Sequence, residues 1–290
     1  MKTTLYIITC LLLLFTVSCN RSDAFDEYQN KILAIANGEE APQYKISKLD
    51  TILKEISGED VIKNKKNRTR LMAVCLNSIA NQYEKQGQYK VALNYYDRAI
   101  DSDSTNGKIY HNRGYIYMLL GKGGKAESDF NHAIQLVPDY SPTYNNLGVL
   151  YTNRDDEKAL KYLNKAIELD PDYLDAYSNR STVFANLKQY DKSIEDNTYV
   201  LSKDPNHLRA YMERAVVYID TNDYNKAFAD LDAALKIDSV NPYVLYNKAV
   251  LYEKTGQESK AYEYFMKTSM ADPDGHVGKV ARYKILQMSN

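Results

Sequence analysis

Between Gly107 and Tyr140 the apolar and small positions fall into two helical stripes separated by a turn. Tyr110, Gly114 and Tyr117 stand at i, i+4 and i+7, which is one face of a helix. Ala126, Phe130, Ala133 and Ile134 repeat that face in a second helix, with polar residues on the remaining positions. Gly121 stands where the first helix turns. Pro138 closes the second, because proline cannot continue a helix and restricts the residue before it. Gly114 and Ala126 are small where two antiparallel helices must approach, and Tyr110 and Phe130 fill the space beside them. The same spacing returns about every 34 residues from Ala73 to Gly275, the period of a helix–turn–helix array. One such hairpin cannot bury its own apolar stripe, so stability has to be shared between stacked neighbours.

These spaced markers (an aromatic, a Gly or Ala, a Tyr, an Ala, an aromatic, an Ala and a Pro) resemble the tetratricopeptide repeat. The resemblance implies an all-α fold, a right-handed superhelical solenoid of antiparallel helix pairs. Six repeats are expected: Ala73–Asn106, Gly107–Tyr140, Ser141–Tyr173, Leu174–His207, Leu208–Asn241 and Pro242–Gly275. Pro138, Pro171, Pro205 and Pro273 close four of them, with Ser104 and Ser239 in the other two. The third repeat replaces the usual Gly turn with Thr152-Asn153-Arg154-Asp155-Asp156. The fourth is the loosest, with Ser193 and Asn197 where Ala and an aromatic belong.

The flanks read differently. Over residues 20–72 the pattern is helical but off-register. Phe25, Tyr28, Ile32 and Ile35 outline one helix closed by Gly38, and Leu49, Ile52, Leu53 and Ile56 outline another ending near Gly58. This pair is expected to be a degenerate repeat capping the array. Lys63, Lys65, Lys66, Arg68 and Arg70 follow, either a solvated helix face or a surface for anionic lipid head groups. At the other end Val280, Tyr283 and Ile285-Leu286 outline a capping helix over residues 276–290.

Residues 1–19 have the form of a leader. Lys2 precedes the apolar run Leu5–Val17, a length that suits a signal peptide and falls short of the ~20 residues of a membrane span. A cleaved secretory signal accounts for that much. Thr16-Val17-Ser18-Cys19 in addition resembles the lipobox of bacterial lipoproteins, which implies lipid on Cys19 and attachment to a membrane. Asn20, where an Asp would mark inner-membrane retention, implies the outer membrane facing the periplasm. Of the three cysteines, two lie in this leader, so no disulfide framework is expected, and Cys75 reads as a buried thiol on a repeat helix.

A net charge of −1 with 26% charged residues argues against nucleic acid as a partner, because phosphate binding needs a basic surface. The chain has 27 Tyr and no Trp, and most Tyr fall on packing positions of the repeat. Three repeats carry Arg three residues after the first aromatic marker (Arg113, Arg180, Arg214), and the same three carry Asp sixteen residues later (Asp129, Asp196, Asp230). The other repeats place Tyr95, Tyr162 and Tyr264 there, opposite Ile79, Leu147 and Lys248. In an antiparallel hairpin the two positions face each other, so structural Arg–Asp pairs are expected.

No pattern of an active site or cofactor motif is found. His111, His132, His207 and His276 lie without metal-ligand spacing, and Gly121-Lys122-Gly123-Gly124-Lys125 lacks the spacing, the Ser or Thr and the strand of a phosphate loop. The chain is therefore expected to be a non-enzymatic interaction module. The resemblance implies a concave groove lined by the first helix of each repeat. It carries the groove positions onto Asn77, Asn81, His111, Tyr115, Asn145, Val149, Ser178, Thr182, Met212, Val216, Tyr246 and Val250, with Asn112, Asn146, Asn179 and Asn247 beside them. The cations that clamp a peptide's terminal carboxylate are missing from these positions. A lining of Asn and Tyr suits an extended or helical segment of another envelope protein, and equally a cell-wall glycan. The oligomeric state is left open.

Overall fold

The repeat markers fold as hairpins because each pair of stripes closes on itself through a turn of opposite backbone hand. The computed structural model describes residues 24–58 and 61–288, so Cys19 and the rest of the leader lie outside the described residues. Every regular element among the described residues is a helix. They divide into two compact units between Thr143 and Tyr144.

The first unit contains α1 (residues 24–37), α2 (Pro42–Ser57), α3 (Lys65–Lys85), α4 (Tyr89–Ser102), α5 (Gly107–Leu119) and α6 (Gly123–Leu136). Pro42 opens α2, where its missing N–H costs nothing. Ile32, Leu49, Ile52, Ile56, Leu71, Cys75 and Ile79 form one buried cluster, joined by Phe25, Tyr28 and Ile35. The N-terminal pair is thus packed on the first repeat through the residues its pattern singled out. Apart from Lys63 the basic run forms the first turns of α3, capped by Asn64, whose side chain accepts from the Asn67 amide at 3.0 Å. The Cys75 thiol is fully buried, donates to the Leu49 carbonyl at 3.2 Å, and is pushed up to about 12 by burial.

α7 (Ser141–Tyr151) straddles the division. The second unit continues with α8 (Asp156–Leu169), α9 (Leu174–Asn186), α10 (Tyr190–Lys203), α11 (Leu208–Asp220), α12 (Tyr224–Ile237), α13 (Pro242–Lys254), α14 (Glu258–Ala271) and α15 (His276–Met288). The helix–helix turn adopts positive φ in all six repeats. Glycine serves at Gly87, Gly121 and Gly256, whereas Asn153, Lys188 and Asn222 hold the same conformation with side chains. Close approach is visible at Gly148, where an added Cβ would meet the Leu163 side chain at 2.5 Å. In α15 the expected face is corrected. Val277, Gly278 and Ala281 are buried and Ile285 packs beside Ala281, while Tyr283 and Leu286 are exposed.

Candidate functional site

The Arg–Asp positions meet inside each hairpin. Arg113 donates from Nε and Nη2 to both oxygens of Asp129 at 2.8 Å, Arg180 does the same to Asp196 at 2.8 and 2.7 Å, and Arg214 to Asp230 at 2.8 Å. All three aspartates are buried. Burial raises the Asp196 carboxyl, opposed by the Arg180 guanidinium, and the bond to Asp129 raises Arg113. The third guanidinium nitrogen points the other way, onto the second helix of the preceding repeat. Arg113 reaches Asp97 at 2.7 Å, Arg180 reaches Asn164 at 2.8 Å and Arg214 reaches Thr198 at 2.9 Å. These partners stand sixteen residues behind each Arg, a relation that comparing aligned repeats does not expose. Where Tyr replaces Asp, Tyr95 packs on the core cluster that holds Ile79 and stacks on Tyr83 at 5.4 Å, and Tyr162 stacks on Tyr151 at 5.8 Å. Lys248 lies 5.1 Å from the Tyr264 ring centre and pairs backward with Asp232.

The candidate ligand residues on the first helices are largely engaged with one another. In the first unit Asn112 donates to Asn77 at 3.0 Å and to Asn81 at 3.4 Å, and the Tyr96 hydroxyl donates to Asn81 at 2.6 Å. Tyr115 is half-buried and packs on the neighbouring core. His111 does not lie open on this face. It is 8% exposed, with Nδ1 3.0 Å from the Thr143 hydroxyl and its ring against Phe130 and Tyr140. Burial without a countercharge lowers it to about 4. In the second unit Asn179 donates to Asn145 at 2.8 Å, and Asn145 donates to Asn146 at 3.4 Å. Asn145 is buried, so it too is a spine residue and not a free contact. Tyr246 is half-buried, edge-on to Phe265 at 5.7 Å. His207 caps α11, its Nδ1 accepting from the Ala210 amide at 3.2 Å. Among the described residues no group of His, Cys, Asp and Glu could hold a metal ion.

Met212 is different, because it lines a cavity of about 230 Å³ in the second unit. α9 contributes Ser181, Thr182, Ala185 and Asn186, and α10 contributes Ser193. α11 contributes Met212, Glu213, Val216, Val217 and Asp220, and α13 contributes Asn247. The cavity lies where the fourth repeat departs from the others. Elsewhere a small residue on the first helix meets Ala and a large residue on the second: Gly114 with Ala126 and Phe130, Ala215 with Ala227 and Leu231. Here the three positions are Ser181, Ser193 and Asn197, all buried. Ser181 is bonded to Asn197 at 3.1 Å and to Glu213 at 3.0 Å. The Ser193 hydroxyl and the Asn197 amide nitrogen have no protein partner. Glu213 also stands where four other repeats carry Asn112, Asn146, Asn179 and Asn247. Its carboxylate accepts from Thr182 at 3.0 Å and from Arg209 at 2.6 Å. Position-by-position comparison would have flagged Glu213, but its place opposite Ser181 needed the stacked helices.

Stacked hairpins of this kind, with a mixed-polarity face on the first helices, define a repeat protein that binds other proteins. The chain belongs to the tetratricopeptide-repeat family: sequence profiles of that repeat match residues 72–102, 106–172, 208–241 and 242–274, together more than half of its length. Among curated proteins it is 37% identical over 76 residues to human RNA polymerase II-associated protein 3, which is 26% of this chain and 11% of that one. The chain thus spans about a tenth of that relative. Among solved structures it is similar to a tetratricopeptide repeat protein from Parabacteroides merdae, at 19% identity and a TM-score of 0.66, covering 92% of this chain and 100% of that one. It is also similar to PilW, described as a type IV pilus biogenesis factor, at 21% identity and a TM-score of 0.66, covering 72% and 97%. At these identities both likenesses speak for the fold alone. Among the described residues no helix is long and apolar enough to cross a membrane.

Proposed function

We propose that this scaffold is an envelope lipoprotein, tethered through lipid on Cys19, that holds an extended segment of another envelope protein on the first-helix face of its second unit. The observation that carries the binding half is the cavity itself. Its wall is open to solvent at Val216 and half-buried at Met212, on a face where the neighbouring amides are already mutually bonded. Bonded amides give a rigid rim, and an open apolar recess beside them gives a partner something to bury. The tether half rests on the Thr16–Cys19 sequence, and an outer-membrane site facing the periplasm follows from Asn20.

The test is a photo-crosslinker placed at Val216 in the native envelope, with a second at Glu195 on the second helix of the fourth repeat as a control. Capture of one envelope protein from Val216 and not from Glu195 supports the reading. Capture from Glu195 alone moves binding off the first helices and overturns it. For the tether, Cys19→Ser should abolish incorporation of a fatty-acid analogue and release the chain from the membrane fraction. Label that persists in Cys19→Ser and disappears in Cys10→Ser assigns the lipid to the other cysteine.

A further inference from the structure

The cavity of the second unit has a definite electrostatic character. Its lining holds two carboxylates, Glu213 and Asp220; Glu213 is already paired with Arg209 at 2.6 Å, so the open negative charge is that of exposed Asp220. Seven residues apart on α11, the two carboxylates stand two turns from each other on the same face, with Val216 and Val217 between. Asp220 is exposed and is the last residue of α11, so it adds its charge to the negative end of that helix. Ala185 and Asn186 bring the C-terminal turn of α9 to the same cavity. Neither helix has a basic residue in its last turn to offset this. An acid at a helix C-terminus is unfavourable for folding.

A second feature lies at the cavity wall. Ser193 lines the cavity at 1% exposure, and its buried hydroxyl has no protein partner. The corresponding residue is Ala92, Ala126, Ala159, Ala227 or Ala261 in the other repeats, so the hydroxyl answers no packing need of the hairpin. Between these polar ends the walls are Ala185, Met212, Val216 and Val217, an apolar channel. An apolar channel with a carboxylate at its end matches a side chain with an aliphatic stem and a cationic head.

We infer that this cavity receives a Lys or Arg side chain of the bound segment, with the stem along Met212 and Val216 and the cation held by Asp220. The inference rests on the proposed binding of an extended segment and specifies its chemistry. It disfavours anionic anchors such as a terminal carboxylate or a phosphate, which the Asp220 carboxylate would repel.

The experiment uses the full chain and positional-scanning pools of nonapeptides with one fixed central residue. Pools fixed with Lys or Arg should be retained at least five-fold over pools fixed with norleucine or Glu. In Asp220→Asn that preference should fall to near unity, while retention of the norleucine pool and the melting temperature stay close to wild type. Equal retention of all pools, or a preference that survives Asp220→Asn, overturns the inference and leaves segment binding standing. Retention of no pool counts against segment binding, and a direct titration then decides the cavity. With Nα-acetyl-lysine methylamide, selective shifts of the Asn186 and Asn247 side-chain amides uphold it. The same shifts with N-acetylglucosamine, and none with the lysine derivative, overturn it in favour of a glycan site.

Discussion

Arg113 is bonded to Asp97 at 2.7 Å, sixteen residues back along the chain, on the second helix of the preceding repeat. The same guanidinium holds Asp129 sixteen residues ahead, on its own hairpin. One planar group with five donors therefore fastens a hairpin internally and fastens it to its neighbour. Arg180 with Asn164 and Arg214 with Thr198 keep the geometry while the backward partner changes from charged to neutral. What persists is the hydrogen bond, and the backward charge is dispensable.

The two halves of this clamp should differ in strength. The Asp129 side chain is 8% exposed and that of Asp97 is 52% exposed. Removing Arg113 leaves Asp129 buried and unpaired, so Arg113→Met should destabilise the first unit by about 3 kcal/mol. Asp97→Ala should cost about 0.5 kcal/mol, since an exposed pair is screened by water. Urea titrations of the two single variants and the pair give the coupling energy directly. A coupling between Arg113 and Asp97 as large as that between Arg113 and Asp129 would contradict the burial argument.

His111 makes the first unit sensitive to acid. Its ring faces Phe130, Tyr140 and the Thr143 hydroxyl, with the Lys108 ammonium 5.2 Å from the Tyr140 ring centre. The folded state holds the imidazole neutral down to about 4, whereas the unfolded chain takes up its proton near 6.5. Stability is therefore fully present above pH 6.5 and falls as pH drops from 6.5 to about 4, by about 3 kcal/mol in total. Asp196 runs in the opposite direction, because its raised carboxyl favours the folded state as pH falls. Denaturant titrations of wild type and His111→Phe between pH 7 and 4 should diverge over that window. Parallel curves would mean that the ring is hydrated in solution.

The turn residue Lys188 offers a separate test. At φ 58° it occupies the left-handed region that Gly87, Gly121 and Gly256 fill without strain. Its backbone nitrogen and the next one bond to Ala185 and Phe184, so the turn is held in place. Lys188→Gly removes the side chain's clash with the backbone and should raise stability by about 1 kcal/mol. Asn222→Gly should gain less, because Asn tolerates that conformation better than Lys does. A loss of stability in Lys188→Gly would show that the unfolded-state entropy of glycine outweighs the relieved strain.

The hairpins were legible because each one is a local pattern. Tyr110, Gly114 and Phe130 declare their helices within a single repeat, and the Arg–Asp pairs appear as soon as repeats are compared. The neighbouring repeat is what local spacing leaves out. Asp97 is invisible as a partner of Arg113 until the hairpins are stacked, and His111 looks open on its own helix although Thr143 and Tyr140 cover it. The buried face of α15 escapes the local pattern for a related reason. So short a helix offers two plausible faces, and only docking on Ala249 and Phe265 selects Ala281 over Tyr283. The Ser193 and Asn197 departures were visible as letters, but their meaning depended on Glu213 arriving from the next repeat.

That departure gives a prediction in which stability and binding move apart. Ser193 carries a buried hydroxyl with no protein partner, next to Asn197, whose amide nitrogen also has none. Each buried and unsatisfied group costs on the order of 1–3 kcal/mol. Ser193→Ala restores the residue found at Ala92, Ala126, Ala159, Ala227 and Ala261, and should stabilise the second unit by about 1 kcal/mol. Adding Asn197→Leu restores the pairing of Ala227 with Leu231, but it also removes the bond to Ser181, so the second gain should be smaller. If the polar core exists to line the cavity, both variants should melt later than wild type and retain the Lys pool less. A polar core that is mere drift would give the same rise in melting temperature with unchanged retention. A fall in melting temperature would show instead that ordered water already satisfies the two groups.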